Sequence, residues 1–223
     1  MSKTIEQPGR YYDLSNPIWA EMPFYPASFA AQIEQVSSVE EGGFNVHKMT
    51  IATHHGTHVD APRHYSNQGT PLEELDLSRF MGEGVVLDLT FKEIGSGIGA
   101  QDLEKYAQLV REGDIVILYT GCSEHLGEPW LNWKYTYVDR SGAEWLVSKK
   151  VKSVGIDFFS IDQYGDRSNP AHTVFLGNGI PLIEEISSQA KQLAGHRIYL
   201  ICLPLRVMAG DGAPARVIAY LLG

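Results

Sequence analysis

Residues 54–64 of this 223-residue chain read HHGTHVDAPRH, placing four of its eight histidines within eleven positions. An aspartate sits among them, and a glycine and a proline interrupt the run. Neutral imidazole nitrogen and carboxylate oxygen are the donors that suit Zn2+, Mn2+ or Fe2+. Two imidazoles and one carboxylate leave coordination positions free for water or substrate, which is the pattern of a catalytic ion. No paired cysteines accompany the cluster, so a closed structural zinc site is not what it encodes. Taken singly, His47, His55, His125 and His196 read as ordinary surface or core residues.

Neither regular element can present this cluster. His54, Gly56, His58, Asp60, Pro62 and His64 share one parity, so a straight strand would put them on one face. It would also spread His54 and Asp60 over roughly 20 Å, too far to share an ion. A helix would pair His54 with His58 and send Asp60 elsewhere. The backbone must therefore bend within the motif. Gly56 permits unusual dihedrals, and Pro62 disfavours a helical residue 61. The expectation is a compact loop or broken turn that folds several side chains toward one point.

The elements around it read as α/β. Short apolar runs at 85–89, 114–119, 151–156 and 197–202 suggest strands buried on both faces. Residues 99–110 predict an amphipathic helix with Leu103, Tyr106, Ala107 and Val110 on one face. A second helix would start at residue 141, with Ser141 as cap and Glu144 three residues on. Residues 181–193 are a third helical candidate. No linker, charge block or repeat divides the chain, so one domain over residues 1–223 is expected, with residues 1–10 flexible.

Composition excludes several partners. The formal charge is −9, and no basic stripe is present to neutralise phosphates, which argues against nucleic acid. The two cysteines, Cys122 and Cys202, stand far apart and read as buried, reduced thiols. The opening decapeptide lacks the apolar core of a signal peptide. The longest apolar run, residues 198–205, is too short to span a bilayer. A cytoplasmic protein with no membrane partner is the simplest expectation.

The histidine run, read as His-x-Gly-Thr-His-x-Asp-x-Pro-x-His, resembles the signature of the metal-dependent cyclase family, which includes bacterial kynurenine formamidases and isatin hydrolases. The resemblance extends to residues 12–17 and 22–26, to Gly43-Phe44-Asn45-Val46, to Val154-Gly155-Ile156-Asp157 and Ser160-Ile161-Asp162, and to residues 203–206 and 210–216. It implies an α/β fold of the swivelling β/β/α type, assembled as a homodimer or homotetramer. It also implies metal ligation by His54, His58 and Asp60, with His64 as catalytic acid/base. His172 and Glu184 occupy the places of a second ion's ligands, beside the bridging Asp60. One Zn2+ or Mn2+ is implied, and a second ion is admitted. The family's usual Glu-Asn pair is here Glu184-Glu185, which leaves Glu185 as an alternative ligand. An aromatic residue near the opening segment contacts the substrate ring in the formamidases, which singles out Phe24 or Tyr25. Tyr65, Trp130 and Trp133 are further candidates to line an apolar substrate pocket, and Asp211 reads as local support within reach of the site.

The chemistry expected is hydrolysis of an aryl formamide or cyclic amide by metal-activated water, with a small-molecule substrate. An imidazole titrating near neutrality suits both taking and returning the proton that a departing amine needs. His64 could instead merely orient a ligand. Two rival readings use the same donors: a non-haem iron enzyme of oxygen chemistry, and a non-catalytic metal- or metabolite-binding module.

Overall fold

The apolar runs become strands because each has a layer to cover on either face. The computed structural model describes residues 11–129 and 133–222; the stretch 1–10, expected to be flexible, and Trp130 lie outside the described residues. In chain order the strands are β1 (Tyr12–Asp13), β2 (Gln32–Ser37), β3 (Val46–Thr50), β4 (His58–Asp60), β5 (Met81–Asp88), β6 (Gly97–Ile98), β7 (Ile115–Tyr119), β8 (Tyr137–Val138), β9 (Ser153–Ile156), β10 (Leu182–Glu184), β11 (Arg197–Pro204) and β12 (Gly212–Leu221). The helices are α1 (Val39–Gly42), α2 (Ala100–Glu104), α3 (Arg140–Ser148) and α4 (Pro170–Gly177). None is long and apolar enough to cross a membrane.

The main sheet runs β1-β12-β11-β5-β7-β9-β10-β4, and β4 also pairs with β12. That last pairing closes seven strands into a barrel-like ring, with β1 riding on the outer edge of β12. Strands β5, β7, β9 and β10 are parallel to one another, and the rest join antiparallel. Successive side chains of a strand face opposite ways, and here both faces are buried. Val86, Ile115, Ile117 and Ile183 fill the ring with Ile198, Leu200 and Val217. Val85, Leu87, Val116, Leu118 and Leu182 point outward beneath Leu103, Leu146 and Phe175 of the helices. This two-sided burial is why those strands carry almost no polar residue. The α/β expectation holds.

Three local expectations need correction. The helix expected over 99–110 is regular only to Glu104; beyond it Tyr106, Ala107 and Leu109 bond to carbonyls three residues back, a tighter winding. The next helix is capped by Asp139, whose carboxylate accepts from Gly142 N–H at 2.9 Å, and not by Ser141. Residues 181–193 are no helix. Leu182, Ile183 and Glu184 form a strand held between β9 and β4, and only Ser188–Leu193 winds, as a 3-10 segment. Ladder bonds on both edges and full burial outweigh helical periodicity there.

Candidate metal centre

The histidine motif folds as a strand of three residues with a bend at either end. Gly56 adopts a left-handed φ of 64°, turning the chain after His54. His58, Val59 and Asp60 then form β4, and Ala61 stays extended before Pro62 starts a 3-10 turn that carries His64. Within β4 the parity rule decides the site: Val59 enters the ring core, while His58 and Asp60 face the helical side. Glu184 of β10 lies directly opposite His58 in the register, so the two share that face.

His172 arrives from α4, a helix outside the three segments expected to be helical. Pro170 is the first helical residue, and Asp162 caps the start from outside, accepting from Ala171 N–H at 2.7 Å and His172 N–H at 3.0 Å. The same carboxylate takes His172 Nδ1–H at 2.6 Å. His172 Nε2 is thereby aimed at Asp60 Oδ2 (3.3 Å) and Glu184 Oε1 (3.4 Å). His58 is fixed likewise. Its Nδ1 donates to the Gly56 carbonyl at 2.7 Å, and its Nε2 faces Asp60 Oδ1 (3.3 Å) and Glu184 Oε2 (3.6 Å). His54 places Nδ1 2.6 Å from Asp60 Oδ1 and Nε2 3.0 Å from Asp211 Oδ2.

Two sets of donors therefore meet at Asp60: His54 and His64 on one side, His58 and Glu184 on the other, each set lying within 4.8 Å. Among the described residues, the buried atoms His58 Nε2 and Asp60 Oδ2 have no hydrogen-bond partner. A carbonyl can only accept, so a neutral His58 turns a bare Nε2 toward two carboxylates. Lone pairs facing lone pairs at this depth need a positive charge between them. A divalent cation meets that need with the donor chemistry present, so the residues fit one.

The electrostatics point the same way. Burial alone would lower His172, but Glu184, Asp162 and Asp60 together raise it to about 10. Burial likewise opposes protonation of His58, and Asp60 with Glu184 lifts it well above 6.5. Asp60 stays far below the ordinary carboxylate range against its burial, because His54, His172 and His58 surround it. Glu184 is pushed up by burial and by the charge on Asp60. His64 differs: burial, reinforced by His54 and His172, brings it down to about 4, so its imidazole is neutral and able to accept a proton.

A cavity of about 350 Å3 opens over these groups. Tyr25, Tyr65, Phe159, Ser160 and Asn169 line it beside His54, His58, His64, His172 and Glu184. Tyr65 stacks on His172 at 4.6 Å. Of the two aromatic candidates in the opening segment, only Tyr25 reaches this cavity. Phe24 packs against His55 and lines a separate groove with Pro23 and Trp133. His55 points away, accepting from Ala52 N–H. Asp157 is also elsewhere, buried under the 120–123 turn and bonded to Thr120, Gly121 and Ser123. Glu185 is buried at a left-handed φ of 55° and is not in the donor sets. Asp162 is the residue that sequence reading missed. Its one signal was its place in the Ser-Ile-Asp segment.

Residues 12–163 match the model of the Cyclase family. The chain belongs to that family. Among Cyclase-family relatives, the kynurenine formamidase of Bacillus thuringiensis (strain Al Hakam) is 29% identical over 211 residues, covering 93% of this chain and 96% of its own. The kynurenine formamidase of Erythrobacter litoralis is 27% identical, covering 94% and 93%. A solved structure described as a potential metal-dependent hydrolase with cyclase activity superimposes with a TM-score of 0.81 at 26% identity, over 96% of this chain and 98% of that one. An isatin hydrolase bound to the product analogue thioisatinate shares the fold at a TM-score of 0.87 and 20% identity, covering 96% and 92%. The cyclase-type α/β fold implied by the histidine motif is therefore the fold observed.

Proposed function

We propose that this protein is a metal-dependent amidohydrolase that opens an aryl formamide or a cyclic amide on an aromatic ring. The observation that carries this reading is the convergence of His54, His58, His172, Glu184 and Asp60 around buried atoms that lack a partner. Kinship with kynurenine formamidases and with a metal-dependent hydrolase supports the same chemistry, and leaves the oxygen-chemistry and pure binding readings without support.

His54, His58 and Asp60 are assigned to one divalent ion, Zn2+ or Mn2+, and Asp60, His172 and Glu184 to a second where two bind. Such an ion supplies Lewis acidity, activating water at neutral pH and stabilising charge on a carbonyl oxygen. Asp60 turns Oδ1 toward His54 and His58 and Oδ2 toward His172, so one oxygen faces each of the two assigned ligand sets. Glu184 is preferred to Glu185 because Glu184 shares the face of His58. His64 is the acid/base: neutral and at the cavity wall, it takes a proton from the attacking water and returns it to the departing amine. Tyr25 and Tyr65 offer ring faces to an aromatic substrate; Phe24 is withdrawn from that role by its place in the neighbouring groove.

The wider assignments follow. The pairing of β1 with β12 ties the two ends of the described chain together, which supports one domain over 1–223. The free, buried Cys122 and Cys202 support a cytoplasmic location. The β2–β3 hairpin exposes Val36, Phe44 and Met49 with no third strand among the described residues, which supports a homodimer or homotetramer. Elemental analysis of the purified protein, with assays on N-formylkynurenine and isatin, tests the reading. Full metal loading without hydrolysis of any amide or lactam would sink it.

A further inference from the structure

Asp211 begins the wall behind His54, and none of the duties above uses it. Its main chain is pinned independently of its side chain: its carbonyl accepts from Ala61 N–H at 2.8 Å, and the Gly210 carbonyl from Leu72 N–H at 2.9 Å. Gly212 follows, paired with Asp60 across β4. A Cβ on Gly212 would stand 2.7 Å from His54 Cε1 and 2.5 Å from the Val59 carbonyl oxygen. The His54 ring thus rests against bare backbone, and the Asp211 carboxylate reaches round to the ring's far nitrogen. Oδ2 lies 3.0 Å from His54 Nε2, while Nδ1 faces Asp60.

A neutral imidazole carries a single N–H. A carboxylate can only accept, and one faces each nitrogen of His54; where a cation engages Asp60, Asp211 is left to hold that hydrogen at Nε2, which frees the Nδ1 lone pair for the ion. The same Oδ2 is 3.7 Å from His64 Nδ1, the one carboxylate contact of His64 within 4 Å among the described residues. The two rings pack with centroids 4.0 Å apart. We propose that Asp211 is a positioning residue whose one oxygen sets His54 as an Nδ1 ligand and steadies the Nδ1 edge of His64. This rests on the hydrolase reading of the site.

The test compares wild type with Asp211→Asn and Asp211→Glu. Zn2+ and Mn2+ affinities are measured by competition with a chelating dye, alongside kcat and KM on N-formylkynurenine and the Tm of metal-stripped protein. Asp211→Asn is expected to weaken both ions by about 10–100-fold and to lower kcat by at least about tenfold, with KM within about threefold. Tm of the stripped protein should move by no more than about 2 °C. Asp211→Glu, which keeps the acceptor, should recover part of both losses. In wild type loaded with Zn2+, long-range 1H–15N spectra should show His54 protonated at Nε2. A His54 protonated at Nδ1 overturns the proposal, as does an Asn variant altered only in Tm or not altered at all. Wild type that binds neither ion and hydrolyses no amide sinks this proposal and the hydrolase reading together. Wild type that does both while Asp211→Asn is unchanged sinks the role of Asp211 alone.

Discussion

One half of the donor cluster is sealed and the other is open. The side chains of His58, Asp60, His172 and Glu184 are at most 5% exposed, whereas His54, His64 and Asp211 are 22%, 29% and 44% exposed. Both halves use imidazole and carboxylate, so residue type does not distinguish them. Environment does. Buried carboxylates cannot fall back on water, so Asp60 and Glu184 require positive charge and suit holding a cation. On the open side solvent can reach the rings, so protons can come and go, which suits acid/base work. The lesson is a division of labour in the proposed site: depth suits the carboxylates to holding an ion, while the mouth adds His54 to the donors and suits His64 to handling protons.

That division can be broken most decisively at Asp60, which serves both halves. Asp60→Ala should lose bound metal and bring turnover below about one-thousandth of wild type, read by elemental analysis and amide hydrolysis. Retained metal there would mean that the sealed half is not the holder. His64→Ala separates the halves: metal content should stay near wild type while kcat falls about 10²–10⁴-fold. Loss of metal in that variant would instead make His64 a ligand, as its place within 4.8 Å of His54 and Asp60 allows.

Metal removal probes the sealed half through stability. Stripping with a chelator should lower Tm, and restoring Zn2+ at about 100 times its Kd should return about 2.7 kcal/mol, roughly 5–10 °C for a chain of this size. The same recovery in His64→Ala would confirm that His64 contributes little to holding the ion. Asp162→Asn sharpens the point at a distance, since the Asp162 carboxylate bonds to the outer nitrogen of His172 and to the start of α4 and is not in the donor sets. A 10–100-fold weaker metal affinity is expected, with the fold intact by circular dichroism.

The smallest effect is a carboxylate remote from both halves. Burial would raise Asp102, but bonds from Lys92 and from the Gly99 amide outweigh it and hold its pKa below the usual 3.8. A depressed carboxylate stabilises the fold above its unfolded pKa, and the gain fades as pH falls through the folded value. Asp102→Asn should therefore cost about 1 kcal/mol or less at pH 7, with the difference vanishing in acid. Metal affinity should not change. A change there would show that the cluster responds to carboxylates that touch none of its members, against the division proposed.

Much of this was written in short-range order along the chain. The bend at Gly56, the extended Ala61 before Pro62 and the two-faced strands at 115–119 and 197–204 are local consequences of dihedral limits and of apolar runs. So is the conclusion that one eleven-residue segment gathers imidazole and carboxylate. The helix predicted over 181–193 failed because periodicity cannot register ladder bonds from β4 and β9, and those bonds make Leu182–Glu184 a strand. Which of two adjacent glutamates turns toward His58 depends on that register. So does the meeting of His172 with Asp162, and the reach of Asp211 back to His54 across 157 positions. Ligand types are a property of local chemistry, and the sequence states them. Their depth, their orientation and the carboxylates that aim them arise where distant strands pair, and only the folded chain brings those together.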